Sequence, residues 1–177
     1  MELPDNLKNQ GYSIQNVTGQ DLEEFKRIRR ASFKQVIDLY NGGWLDQIQD
    51  IIGTDLFHRL QMNASFQKIL KGDTTIGFLF YKEQPDQISE FTILMLQPDQ
   101  NQEIIDYLID WITGLSQITG KPVLLMVYQT DSMVRSYLKH GFKIYDTSRT
   151  HHLMSYNQEN PAEFWDYKNR IYSGRNP

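Results

Sequence analysis

At 177 residues the chain has the size of one domain with room for a sizeable core. With 18 Lys and Arg against 22 Asp and Glu, a formal charge of −4 and a pI near 5.5, it offers no electrostatic reason to bind nucleic acid or an anionic membrane. It has no cysteine, which excludes disulfides, thiolate-held zinc and a cysteine nucleophile. No apolar run reaches the length of a membrane span, and Met1 to Lys8 is not a basic segment leading into an apolar one, so a soluble, cytoplasmic protein is expected.

Tyr12, Ile14 and Val17 alternate with polar neighbours, which predicts a first strand over 13–17, suited to a sheet edge. Thr18, with Asp21 three residues on, reads as the N-cap of a long helix. Leu22, Phe25, Ile28, Phe33, Val36, Ile37 and Tyr40 keep the helical period until Asn41-Gly42-Gly43 stops it. Lys26, Arg27, Arg29, Arg30 and Lys34 read as an exposed, solvated basic face. A short helix is expected from Trp44 to Ile52; Gly53 to Ala64 is ambiguous, a further helical turn placed to cover a substrate being one reading. Ser65 to Leu70 and Thr74 to Lys82, joined through Lys71-Gly72-Asp73, predict a β-hairpin. Gln84-Pro85-Asp86 then turns the chain into a third antiparallel strand, Ile88 to Leu96, which Pro98 stops.

The period changes after Pro98. Ile104, Leu108, Trp111, Ile112 and Leu115 line one face of a helix over 102–118, closed by Gly120. Val123 to Val127 is wholly apolar, as a strand covered on both faces requires, and a second short helix over 131–139 ends with Gly141 at a left-handed cap. Strand, helix, strand makes a right-handed crossover, and ligands of open sheets gather beyond the carboxyl ends of such strands. Leu96 to Ile105 and Val127 to Tyr137 are therefore expected to wall a site. Two more strands follow, over 143–147 and 150–156, and then Asn160-Pro161-Ala162-Glu163 opens a terminal helix to about Tyr172. Its Phe164, Trp165, Tyr167, Ile171 and Tyr172 pack on the domain or form a dimer contact, so monomer and homodimer both stay open. His151 and His152 face opposite sides of a strand, so no metal is expected there, while one of them is placed to touch a substrate. Ser132 and Ser136 have neither a nucleophile elbow nor a nearby base.

This order of elements resembles the GCN5-related N-acetyltransferase (GNAT) superfamily from about Tyr12 to Tyr156. The fold it implies is α/β (α+β): a GNAT-like mixed, mostly antiparallel central sheet flanked by helices, with an extra C-terminal helix. Tyr137-Leu138-Lys139-His140-Gly141-Phe142 is similar to the family's Tyr-x-x-x-Gly-Phe segment, and Ile93-Leu94-Met95-Leu96-Gln97-Pro98 to the end of its cofactor-binding strand. The resemblance implies direct transfer of an acetyl group from acetyl-CoA to a primary amine of a small molecule or peptide. It implies that the pantetheine arm lies along Leu94, Met95 and Leu96. The pyrophosphate would sit on the helix start formed by Gln100, Asn101, Gln102, Glu103, Ile104 and Ile105, with Gln100, Asn101 and Gln102 adding side-chain donors. Thr130 stands where the family carries an asparagine that reaches the cofactor. By the same resemblance Tyr137 is the general acid for the departing thiolate and Glu90 the base for the amine, with a backbone N–H near Met95 or Leu96 holding the oxyanion. The phosphate loop departs from the family pattern. Glu103 and Ile105 stand at its glycine positions, and Asp99 with Gln102 suits a capping box that would take the same N–H donors. A GNAT-like domain without catalysis, binding a ligand or a protein partner, is the alternative.

Overall fold

The computed structural model describes residues 1–40, 42–98 and 101–158. In chain order the elements are α1 (Asp5–Asn9), β1 (Tyr12–Asn16), α2 (Leu22–Tyr40), α3 (Asp46–Asn63), β2 (Ser65–Lys71), β3 (Thr74–Glu83) and β4 (Ile88–Met95). They continue with α4 (Gln102–Thr119), β5 (Val123–Tyr128), α5 (Met133–Lys139), β6 (Lys143–Thr147) and β7 (His151–Tyr156). The strands form one sheet in the order β1-β2-β3-β4-β5-β7-β6. Every pairing is antiparallel except that of β4 with β5. This is the mixed, mostly antiparallel sheet flanked by helices that the sequence predicts. The terminal helix expected from Asn160 lies outside the described residues.

Alternation along the strands divides the core in two. Phe66, Phe78, Phe80 and Leu94 turn to α2 and α3, where Phe25 sits 5.5, 5.4 and 5.3 Å, centroid to centroid, from the rings of Phe57, Phe66 and Phe78. Those tilted and edge-on contacts add to the burial of large apolar rings. Ile69, Leu79, Phe91 and Ile93 face the opposite side and pack with Leu7 of α1, Ile104 and Leu108 of α4 and Tyr137 of α5. Because α2 and α4 lie on opposite faces, the sheet between them is dry on both sides at its centre.

The caps follow the sequence reading. The Thr18 N–H donates to Asp21 Oδ2 at 2.8 Å in a capping box, and Gly120 and Gly141 both take left-handed φ, of +70° and +86°. Four features differ from it. First, α3 is one helix of 18 residues. Gly53 does not break it; it is carried inside the helix, where a Cβ would make ordinary contact, 3.4 Å from Lys26 Cγ of α2. Second, α1 precedes the first strand and buries Leu7, with Leu3 buried just ahead of it, although five residues are too few to show a helical period. Third, β5 meets β4 in register only at Ile88 and Val123, runs antiparallel beside β7, and leaves Met126 exposed. Its apolar run is therefore not the mark of a strand covered all along. Fourth, Arg29 of the expected exposed face is buried. Among the described residues no helix is long and apolar enough to cross a membrane.

Candidate functional site

A bulge in β4 shapes the site. Phe80 faces Thr92 and Lys82 faces Ser89, so Phe91 and Glu90 together oppose Tyr81 alone. Glu90 takes up the extra residue with a left-handed φ of +56°, a conformation uncommon outside glycine and found where a strand must be re-aimed. The bulged strand bends away from its parallel neighbour. Beyond the one register pair, β4 and β5 diverge into a wedge.

Two adjoining cavities fill that wedge. The first, of about 350 Å³, is lined by Glu90, Phe91, Tyr128, Tyr137 and His151 among others, with Leu56 and Arg59 of α3 above it. The second, of about 300 Å³, is lined by Leu94, Met95, Leu96, Gln97 and Thr130 together with residues of α2. Phe33, Ile93, Asp131 and Met133 border both, so the two make one groove. The two residues expected to do the chemistry thus share the first cavity, and four of those expected to hold the cofactor line the second.

Tyr137 enters the first cavity from α5, only 3% exposed, against the rings of Phe91 and Phe142. Burial, helped by the nearby Asp131, pushes its phenol far above the usual range, and a backbone hydrogen bond from Ile93 opposes the shift only in part. Tyr137 therefore keeps its proton. Burial also raises Asp131, even though the Met133 N–H donates to its Oδ1 at 2.9 Å at the start of α5. Glu90 accepts a hydrogen bond from Lys82 Nζ at 2.7 Å, an ion pair at the cavity edge. Of the two adjacent histidines, His151 is the one that reaches the cavity. Its ring lies 3.9 Å from that of Tyr128, its Nδ1 is 2.7 Å from Thr150 Oγ1, and burial lowers its pKa, so it is neutral near pH 7. His152 instead meets Thr147 Oγ1 at 3.0 Å. Period two says that one histidine faces in; only the pairing of β7 with β5 says which. Among the described residues no cluster of three or more metal-ligating side chains forms.

Backbone amides differ by position along β4. The Leu96 N–H donates to Ile76 O of β3 at 2.8 Å, so alternation turns those of Ile93 and Met95 to the open edge. Of the two amides expected to meet an oxyanion, that of Met95 faces the wedge and that of Leu96 does not.

The start of α4 is arranged otherwise than the sequence suggests. Gln100 and Asp99 lie outside the described residues. Asn101 is buried; its Nδ2 donates to Leu96 O and Gln97 O, both at 3.0 Å, and its Oδ1 accepts the Tyr12 hydroxyl at 2.9 Å. It ties the loop to β1 and is no free donor for a ligand. Gln102 Nε2 donates to Asp106 Oδ1 at 2.7 Å and to Ser136 Oγ at 3.1 Å. Glu103 is drawn toward α1, where Asn6 Nδ2 and Gln10 Nε2 donate to it at 2.6 and 2.7 Å. Ile104 and Ile105 are fully buried, and the Ile105 N–H already donates to Asn101 O at 3.2 Å. Asn101 stands at the N-cap but does not cap the helix with its side chain. What remains for an anion is the backbone of Gln102, Glu103 and Ile104, whose N–H groups have no acceptor within the helix.

No family model and no curated protein sequence matches this chain. Solved structures do resemble it. The PaiA N-acetyltransferase from Thermoplasma acidophilum, solved with coenzyme A, matches 81% of this chain and 97% of its own at a TM-score of 0.62 and 19% identity. Ard1 from Thermoplasma volcanium matches 82% and 97% at 0.59 and 18% identity. The spermidine N-acetyltransferase from Vibrio cholerae, solved with CoA and spermine, matches 82% and 95% at 0.56 and 13% identity.

Proposed function

We propose that this chain, whose fold is that of the GCN5-related N-acetyltransferases, moves an acetyl group from acetyl-CoA to a primary amine of a small molecule or peptide by direct transfer. One observation carries the reading. Tyr137 and Glu90, which come from different elements, line a single cavity that opens onto the strand end at Leu94, Met95 and Leu96.

Acetyl-CoA, as co-substrate, would supply the reactive thioester. The open edge of β4 offers its backbone to the pantetheine arm, in the manner of an added strand. The free N–H groups in the first turn of α4 receive the pyrophosphate, and Thr130 borders the same cavity. The Met95 N–H, turned to the wedge, stabilises charge that develops on the carbonyl oxygen. Glu90 takes the proton from the incoming ammonium, and the freed amine forms the C–N bond as the C–S bond breaks. Tyr137 gives its phenolic proton to the departing thiolate and regains one from the acylated nitrogen, which sheds its second proton on becoming an amide, so that the net proton released is the one on Glu90. Its raised pKa does not spoil this transfer, because a thiolate in the same dry cavity is a stronger base by the same desolvation. The net charge of −4 fits an enzyme with no nucleic acid or membrane partner, and we extend the reading to a cytoplasmic monomer or homodimer.

The commitments of Asn101, Gln102 and Glu103 to other protein groups favour the second reading, a domain that keeps the fold without the cofactor. Calorimetric titration with acetyl-CoA and with free CoA, beside a melt in each, separates the two. Binding on the order of micromolar, with a melting temperature that rises with ligand, supports transfer and calls for a screen of amines. Absence of binding at millimolar ligand leaves the non-catalytic domain.

A further inference from the structure

Two carboxylates of the described residues border the groove, and they are held differently. Glu90 is paired with Lys82 at 2.7 Å. Asp131 accepts the Met133 N–H at Oδ1, and among the described residues it has no ion pair and no partner at Oδ2. That second oxygen is not sealed in. Asp131 is half-buried and contributes no buried, unsatisfied atom, so Oδ2 is open to the groove. Asp131 also borders both cavities, whereas Glu90 borders the first alone. It therefore stands where an acyl donor lying along β4 would meet an acceptor in the first cavity.

The accessible wall of that first cavity is of another character. Met126 is 47% exposed, and Phe33, Leu56 and Tyr128 are each part-exposed. Tyr128 links Phe33, 5.8 Å away between ring centroids, to the neutral ring of His151 at 3.9 Å. The cation of the lining, Arg59, is exposed on α3 above this shelf. A carboxylate without a counterion in so dry a place favours a cation beside it, and burial already draws its pKa up. An apolar and aromatic shelf favours a body of the same kind. We propose that the acceptor is a primary amine with a single positive charge on an aromatic or bulky apolar body, and that Asp131 Oδ2 receives its ammonium while Phe33, Met126 and Tyr128 hold the body. The inference rests on the transferase reading for the fate of the amine, though not for its binding. Asp131 also opposes ionisation of Tyr137, so an ammonium placed on it makes the phenol a readier acid once the acceptor is in place.

The test has two arms. The full chain is melted, alone and beside free CoA, with 2-phenylethylamine, with 2-phenylethanol, which has the same body without the charge, and with putrescine, which has charge without such a body. 2-Phenylethylamine is expected to raise the melting temperature in a concentration-dependent way, and the other two to leave it unchanged. Asp131→Asn keeps an acceptor for the Met133 N–H and is expected to abolish the rise. Release of the CoA thiol from acetyl-CoA is then followed with the two amines. For 2-phenylethylamine, Asp131→Asn should raise KM by about ten- to hundredfold, the loss of a charged hydrogen bond, with kcat and acetyl-CoA affinity near wild type. Met126→Ser, at an exposed position, should raise the same KM several-fold. Melting and turnover that ignore Asp131→Asn would overturn the inference and leave the transferase reading standing. So would a preference for putrescine, or a 2-phenylethylamine that neither raises the melting temperature nor is acetylated while putrescine is. A rise that depends on Asp131 without thiol release from either amine would support the amine site and overturn the transferase reading.

Discussion

The two edges of β4 differ as sharply as any two parts of the molecule. Toward β3 the strand is laddered from Gly77 and Met95 to Glu83 and Ile88 with a single bulge, and the phenylalanine cluster around Phe25 packs on it. Toward β5 it has one register pair and then a wedge bordered by Glu90, Asp131, Tyr137 and His151. On the closed edge every second amide is consumed by the ladder, as at Leu96; on the open edge the amides of Ile93 and Met95 are left for a side chain or a ligand. Stability is made on the first edge and chemistry becomes possible on the second. Substitutions on the two sides should therefore fail in different ways.

The sharpest test of that division is Tyr137→Phe. If Tyr137 is the acid, kcat falls by about 10²–10⁴-fold. The acetyl-CoA affinity and melting temperature stay near wild type, because the ring still fills its place against Phe91 and Phe142. Steady-state kinetics beside a thermal melt reads both quantities. A parallel loss of stability with unchanged turnover of the folded fraction would make Tyr137 a packing residue and break the comparison. Phe25→Ala is the counterpart on the closed edge. It removes the centre of the aromatic cluster, with an expected destabilisation of about 3–5 kcal/mol in denaturant titration. Turnover per folded molecule should not change.

The same two edges explain what the sequence discloses. Element order is legible because periods of two and of three to four survive into the fold: the hairpin at Gly72-Asp73, the helix over Ile104 to Leu115 and the cap at Gly141 stand where the pattern puts them. Tyr137 and Glu90 are legible by resemblance, and the structure brings them to one cavity. The bulge at Glu90 is not legible, since nothing about glutamate announces a left-handed φ; the pairing of Phe80 with Thr92 and Lys82 with Ser89 imposes it. The role of Asn101 is hidden for a similar reason. Its partners, Tyr12 and the carbonyls of Leu96 and Gln97, include a residue 89 positions away. Gly53 misleads because a glycine carried inside a helix looks, in sequence, like one that ends it.

A smaller effect probes the cofactor end of the open edge. Glu103 sits in the first turn of α4, where its charge would oppose a pyrophosphate, but Asn6 and Gln10 hold its carboxylate toward α1. Asn6→Ala with Gln10→Ala releases it. The expected result is a several-fold weaker affinity for acetyl-CoA, about 1 kcal/mol, while Glu103→Gln tightens binding. Both changes should shrink as salt rises, since the groups are exposed. Calorimetry at two ionic strengths measures this, and an affinity indifferent to all three substitutions would move the pyrophosphate away from the start of α4.

The smallest expected effect lies on the closed side and depends on pH. Burial would raise the Asp21 carboxyl, but Lys68 Nζ at 2.7 Å and the N–H and hydroxyl of Thr18 prevail and hold it below its usual value. With a depressed folded pKa, the unfolded chain binds the proton more readily, so acid favours unfolding. The stabilisation is fully present above the unfolded value of about 3.9 and is lost as pH falls through the lower folded value. Its size should be about 1 kcal/mol. Asp21→Asn is therefore expected to lower the melting temperature slightly at neutral pH and to flatten its fall between about pH 5 and 3. Turnover should not follow, because Asp21 caps the start of α2 by way of Thr18 and faces Lys68 of β2, across the sheet from the wedge. Were activity to drop with the capping box while the acid limb kept its slope, the separation of stability from chemistry across β4 would not hold.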